Sequence, residues 1–164
     1  MGAEPKLEQE TSPNKKKSST KFRSKAEKRL VEIRVKTPAR NASEVPILAT
    51  LAQVPGYSLK TKDVLKRVRK YFELGEDDLN ARYPKSHQLV VNSIIKFSRK
   101  ELVSKKQLYP IGEECQLGTW KLTPSGLRRA RDAAADWQPR YTYRNAILLE
   151  ELDVDEKRGG SEST

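Results

Sequence analysis

The chain has 164 residues, a formal net charge of +11 and 34% charged residues, which bounds it to one domain with tails or two very small domains. A balance this basic favours polyanionic partners, because neutralised phosphates release condensed counterions. Cys115 is the only cysteine and His87 the only histidine, so an intramolecular disulfide, a cysteine-based zinc site and a paired-histidine centre are all excluded. The N-terminal MGAEPKLEQE lacks an apolar signal core, and no run reaches the roughly 18 apolar residues of a membrane span. A soluble, cytoplasmic protein is expected, nucleoid-associated in a prokaryote and without a membrane partner.

Charge is distributed unevenly. Residues 1–43 hold twelve Lys/Arg against five Asp/Glu, residues 44–137 seventeen against eleven, and residues 138–164 four against six. Residues 1–20 are rich in Lys, Ser, Thr, Glu and Pro, so they bury too little apolar surface to offset ordering entropy, and disorder is expected. SKAEKRLVEIRVK, with Leu30 and Ile33 on one side, predicts a short frayed helix over 24–36 within a basic arm spanning 1–43. That arm suits phosphate contact, RNA binding or simple solvation.

Order is expected from 44 to 137. ILATLAQ, entered through Pro46 and stopped by Pro55 and Gly56, predicts a first helix. Ser58 and Thr61 are candidate N-caps for a second, in which Val64, Leu65, Val68 and Phe72 fall at helical spacing and Lys62, Lys66, Arg67, Arg69 and Lys70 stay outside. After the connection GEDDLNARYPKS, a long helix is predicted from Lys85 to Ser104, with Val90, Ile94, Phe97 and Leu102 on its apolar face. LYPI (Leu108 to Ile111) and TWKL (Thr119 to Leu122) predict two short strands around a GEECQLG tip. Thr123 then caps a helix that begins with Pro124 and buries Leu127, Ala130, Ala134 and Trp137. Residues 138–152, with Tyr141, Tyr143 and ILLEEL, read as a last helix or strand, or as a homodimer contact, and the tail after about 153 is acidic and expected to be disordered.

The fold class that follows is mainly α with a small β-hairpin (α+β), a winged helix-turn-helix with disordered tails. On the long helix, Lys85, Gln88, Asn92, Lys96 and Arg99 are spaced by three, four, four and three residues, which places them on one side. A helix entering a major groove uses Gln and Asn to bond base edges and Lys or Arg to bond phosphates or guanine. Lys85, Ser86, Gln88, Asn92, Lys96 and Arg99 are therefore the candidate DNA-binding residues, with Lys105, Lys106 and Lys121 beside the hairpin as candidate phosphate ligands. Glu113 and Glu114 at the tip repel phosphate, so the tip itself is not expected to enter a groove. The adjacent acidic pairs, and the Asp153, Asp155, Glu156 and Lys157 cluster, read as solvated surface, so no catalytic residue, metal or cofactor is expected. Trp120 and Trp137 read as core.

From VPILATLAQ (Val45 to Gln53) through LNARYPKS and NSIIKFSRKEL to the LTPSG after the GTW strand, the chain resembles the winged-helix domain at the N-terminus of Mrr-type restriction endonucleases. The family's long-helix pattern, Arg-Val-x-Trp-Ala, is matched here by Ile94-Ile95-Lys96-Phe97-Ser98, with isoleucine for the arginine and phenylalanine for the tryptophan. The resemblance implies binding to double-stranded DNA through the long helix. It does not imply cleavage, because the family's nuclease is a separate, following domain. A regulator or restriction-system accessory is the expected role, with a winged-helix protein-interaction module as the alternative.

Overall fold

A computed structural model describes residues 28–151. The expectations for residues 1–27 and for the tail after 151 lie outside these described residues. The elements, in chain order, are β1 (Lys28–Pro38), α1 (Glu44–Ala52), β2 (Ser58–Lys60), α2 (Thr61–Arg69), α3 (Glu76–Asn80), α4 (Val90–Ser104), β3 (Thr119–Lys121), α5 (Pro124–Ala133) and β4 (Tyr141–Glu151). Single 3-10 turns lie at Pro55–Tyr57 and Ala134–Asp136. The chain is thus α+β, with five helices and two small sheets among the described residues.

Residues 32–148 form one compact unit. Of the other, the structure describes residues 28–31 and 149–151, where Arg29 Nη2 lies 3.2 Å from Glu150 Oε1.

The main core of the larger unit is built by three helices. Ile47, Leu48 and Leu51 come from α1, Val64, Leu65 and Val68 from α2, and Val91, Ile95 and Leu102 from α4. Leu108, Trp120, Leu122 and Ala130 close it. Each fully buried aliphatic side chain of this kind contributes about 1.5–3 kcal/mol. A second, smaller cluster joins Val35 and Ala146 to Ala81 and Val90, with Ile33, Tyr83 and Ile94 packed against it. Helix α4 therefore buries two adjacent faces, one in each cluster.

β2 pairs antiparallel with β3 in the register Ser58↔Lys121, Leu59↔Trp120 and Lys60↔Thr119. The expected strand at Leu108–Ile111 is reduced to one bridge, Leu108↔Leu122, supported by Tyr109 N donating to Lys121 O at 2.9 Å. β2 was not anticipated. Ser58 belongs to it and is no cap, and Thr61 opens α2 while its hydroxyl donates to Gly118 O at 3.2 Å.

The helix expected over 24–36 is corrected: residues 28–38 form β1, which pairs with β4. Val31, Ile33, Val35 and Thr37 are β-branched and alternate with polar residues, a period-two pattern that stiff side chains favour in strands. Ala39 N donates to Arg140 O and Thr37 Oγ1 to Thr142 O, so the partners run antiparallel. Tyr141–Glu151 is accordingly a strand engaged within the chain.

Thr123 caps α5 as expected, accepting from Gly126 N at 3.0 Å. Gly126 sits against the Gln107 carbonyl, where an added Cβ would overlap the oxygen and approach Leu122 Cδ1 at 2.9 Å. The obstacle is backbone, which cannot swing aside. Gly126→Ala is expected to lower unfolding free energy by roughly 2–3 kcal/mol, the upper range for overpacking, as read from urea denaturation.

Candidate nucleic-acid interface

The long helix begins at Val90, so the proposed stripe is divided between a loop and a helix. Lys85, Ser86 and Gln88 precede α4 on a tight turn, a correction to the expected start at residue 85. Pro84 and a left-handed His87 (φ 60°) prevent continuous helix through this segment. Arg82 Nη1 donates to His87 O at 2.6 Å, Tyr83 N to Gln88 O and His87 N to Tyr83 O, closing the turn. Lys85, Ser86, His87 and Gln88 are all exposed on it. Gln88 is nevertheless held beside the helix start, since Ser93 Oγ lies 3.5 Å from Gln88 Oε1.

On α4 itself, Lys96 and Lys100 are exposed and Asn92 is half-buried. Asn92 Oδ1 accepts from Arg69 Nη1 at 3.3 Å, which ties the polar side of α4 to that of α2. Lys66, Arg69 and Lys70 line the cleft beside Leu89, at the entrance to α4. Among the described residues, none of Lys66, Arg69, Lys70, Lys96 and Lys100 takes part in a salt bridge. The sequence reading left the α2 cations off the site. The available signal was five Lys/Arg against one acid within residues 61–70.

Arg99 leaves the stripe. Its guanidinium stacks over Trp120, 5.6 Å from the ring centroid, and Nε and Nη2 are buried without a hydrogen-bond partner among the described residues. Such contacts favour a cation over an aromatic face, and they withdraw Arg99 from solvent.

The three lysines near the hairpin differ from one another. Lys105 Nζ lies 2.8 Å from Oε1 of Glu44, a carboxylate only 1% exposed, so its charge is committed to the fold. Arg129 Nη1 reaches the same oxygen at 2.8 Å and also donates to Gln107 Oε1 at 2.7 Å. Lys121 lies 3.8 Å from Glu114 Oε1, so it is partly neutralised by the acidic tip. Lys106 is exposed and forms no salt bridge among the described residues.

Trp120 and Trp137 pack as expected. Trp120 is buried, and Trp137 meets Tyr71 and Phe72 edge-on at 5.8 and 5.4 Å while its Nε1 donates to Ala42 O at 3.0 Å. No group of three His, Cys, Asp or Glu among the described residues is placed to hold a metal ion, and no helix among them is long and apolar enough to cross a membrane. No family model, curated protein or solved structure matches the chain.

The contrast between neighbouring lysines is testable by stability alone. Lys105→Ala removes a charge-assisted bond to a buried carboxylate and is expected to cost about 1–3 kcal/mol by urea denaturation, whereas Lys106→Ala stays within roughly 0.5 kcal/mol of the parent.

Proposed function

We propose that the protein is a non-enzymatic, winged-helix DNA-binding module that engages double-stranded DNA through α4, with α2 on the adjoining phosphates. The element order supports this reading: three helices α1, α2 and α4 around one core, then a bridge at Leu108, a loop, and β3 returning to pair with β2. In a winged helix the last helix of such a trio is the groove reader and the loop before the returning strand is the wing. The resemblance to Mrr N-terminal domains points the same way and suggests a regulator or a restriction-system accessory.

The observation that carries the proposal is the Arg69–Asn92 hydrogen bond. It ties Arg69, which lines a cleft together with Lys66, Lys70 and Glu76, to the polar side of α4, where Lys96 and Lys100 are exposed. On this surface Gln88 and Asn92 supply amides suited to base edges, while the lysines supply phosphate contacts. Lys85 and Ser86 extend it from the turn before α4, and Lys106 adds a cation near its far end. Lys105, Lys121 and Arg99 are assigned no contact, because Glu44, Glu114 and Trp120 respectively engage them.

The test is duplex-DNA affinity of the full chain, by fluorescence anisotropy over a salt series. The logarithm of the association constant should fall linearly with the logarithm of salt, and Lys66→Ala or Lys96→Ala should each reduce the slope by about one. Gln88→Ala should instead cost about 1–3 kcal/mol on a preferred sequence and less on others. Absence of binding at low salt would sink the proposal. So would binding that depends on residues 1–27 alone and is unmoved by changes in α2 and α4.

A further inference from the structure

Alongside α4, away from its α2 side, lies a groove of about 410 Å³. Its apolar lining comes from Pro38, Tyr83, Ile94 and Phe97, and Arg40 and Arg144 provide its charge. No carboxylate is among the described residues that line it. Phe97 is 43% exposed, a large apolar surface for a position on a helix, and the Arg40 guanidinium lies over its ring at 5.6 Å. Arg40 is itself exposed and forms no salt bridge among the described residues, while Arg144 is held in place by donating from Nε to Thr37 Oγ1 at 3.2 Å.

We propose that this groove docks an acidic peptide segment of a partner protein, seating one aromatic or large aliphatic side chain against Phe97 and Ile94 with flanking carboxylates on Arg40 and Arg144. Charge complementarity selects the class of occupant: two arginines without a carboxylate partner among the described residues face an apolar recess, so apolar and anionic groups must be supplied together. Arginine offers carboxylates a planar, paired set of donors, which suits this pairing. The volume lies within the range of sites that hold a small ligand or a peptide anchor. A duplex meets its reader across an open face, and a recess walled by the Pro38 and Arg144 segments takes a side chain in preference to a phosphate ribbon. One helix would then serve two partners, DNA on the Asn92 and Lys96 side and a protein on the Phe97 side.

The probe is a capped pentapeptide, Glu-Asp-Trp-Asp-Glu, titrated into the ¹⁵N-labelled full chain and followed by amide chemical shifts. Saturable shifts confined to residues 39–41, 93–98 and 144 are expected, and they should vanish when the peptide tryptophan becomes serine or its acids become lysines. Arg40→Glu and Phe97→Ala change exposed side chains and should keep the parent spectrum elsewhere. Arg40→Glu should weaken the peptide roughly threefold to tenfold, the scale of a partly exposed charge interaction. The proposal is overturned if the acidic peptide leaves these amides unmoved, if the lysine peptide binds equally well, or if a single-stranded oligonucleotide occupies the groove and the peptide does not.

Discussion

A single buried carboxylate fixes the frame on which the candidate interface is built. Glu44 stands at the first residue of α1 and is 1% exposed, so an unpaired charge there would be prohibitively costly. It is held by Lys105, which follows the last turn of α4, and by Arg129 of α5. Three helices are thereby tied at one point. Arg129 also bonds Gln107, whose carbonyl presses on Gly126, so the entry to α5 is registered against the exit of α4. Losing either cation would leave the other to neutralise Glu44, so this end of α4 is held twice.

The other end of α4 is positioned by different means. Val90 and Ile94 pack into the small cluster with Val35 and Ala146, and Val90 N donates to Ala81 O at 2.9 Å. Arg82 forms backbone bridges to both Leu89 and Ile147. The turn bearing Lys85, Ser86 and Gln88 is thus clasped between the helix and β4, although its tip is exposed. A helix anchored by an ion-pair cluster at one end and by strand bridges at the other has little freedom to rotate. Its polar side is then presented in a fixed orientation, which lowers the ordering cost of binding.

Much of this was legible from local pattern. The helices α1 and α2, the Thr123 cap and start of α5, the strand TWK and the two core tryptophans all follow from apolar spacing and turn chemistry, whereas α5 ends at Ala133 and Ala134, expected on its buried stripe, is exposed. What was not legible depended on partners distant in sequence. In sequence, β1 also fits a helix, because Leu30 and Ile33 satisfy a helical spacing; pairing with β4, more than a hundred residues away, decides for the β-branched alternation. The start of α4 was misplaced because charge spacing runs on through Lys85, whereas Pro84 and the left-handed His87 break the helix. Lys105 and Arg99 looked like free cations, and only the fold reveals Glu44 and Trp120 beneath them. Long side chains of this kind can be assigned to solvent or to structure only once their neighbours are known.

These reassignments move the electrostatic centre of the candidate interface. With Lys105 and Lys121 engaged by carboxylates, and Glu113 and Glu114 exposed at the loop tip, the side of the molecule bearing the loop before β3 is close to neutral. The α2 side carries Lys66, Arg69 and Lys70 without salt-bridge partners among the described residues. A polyanion is attracted to the side with uncompensated charge, because a cation already paired with a carboxylate neutralises no phosphate and so frees no condensed counterion. If the proposed DNA binding holds, phosphate contacts concentrate where α2 meets α4, with Asn92 at the junction held by Arg69. On the proposed DNA-binding reading, Arg69 and Asn92 are coupled directly: a guanidinium drawn towards a phosphate would shift the hydrogen bond that orients the Asn92 amide. Backbone contact and base reading on this face would then be parts of one interaction, in which the strength of the first sets the geometry of the second.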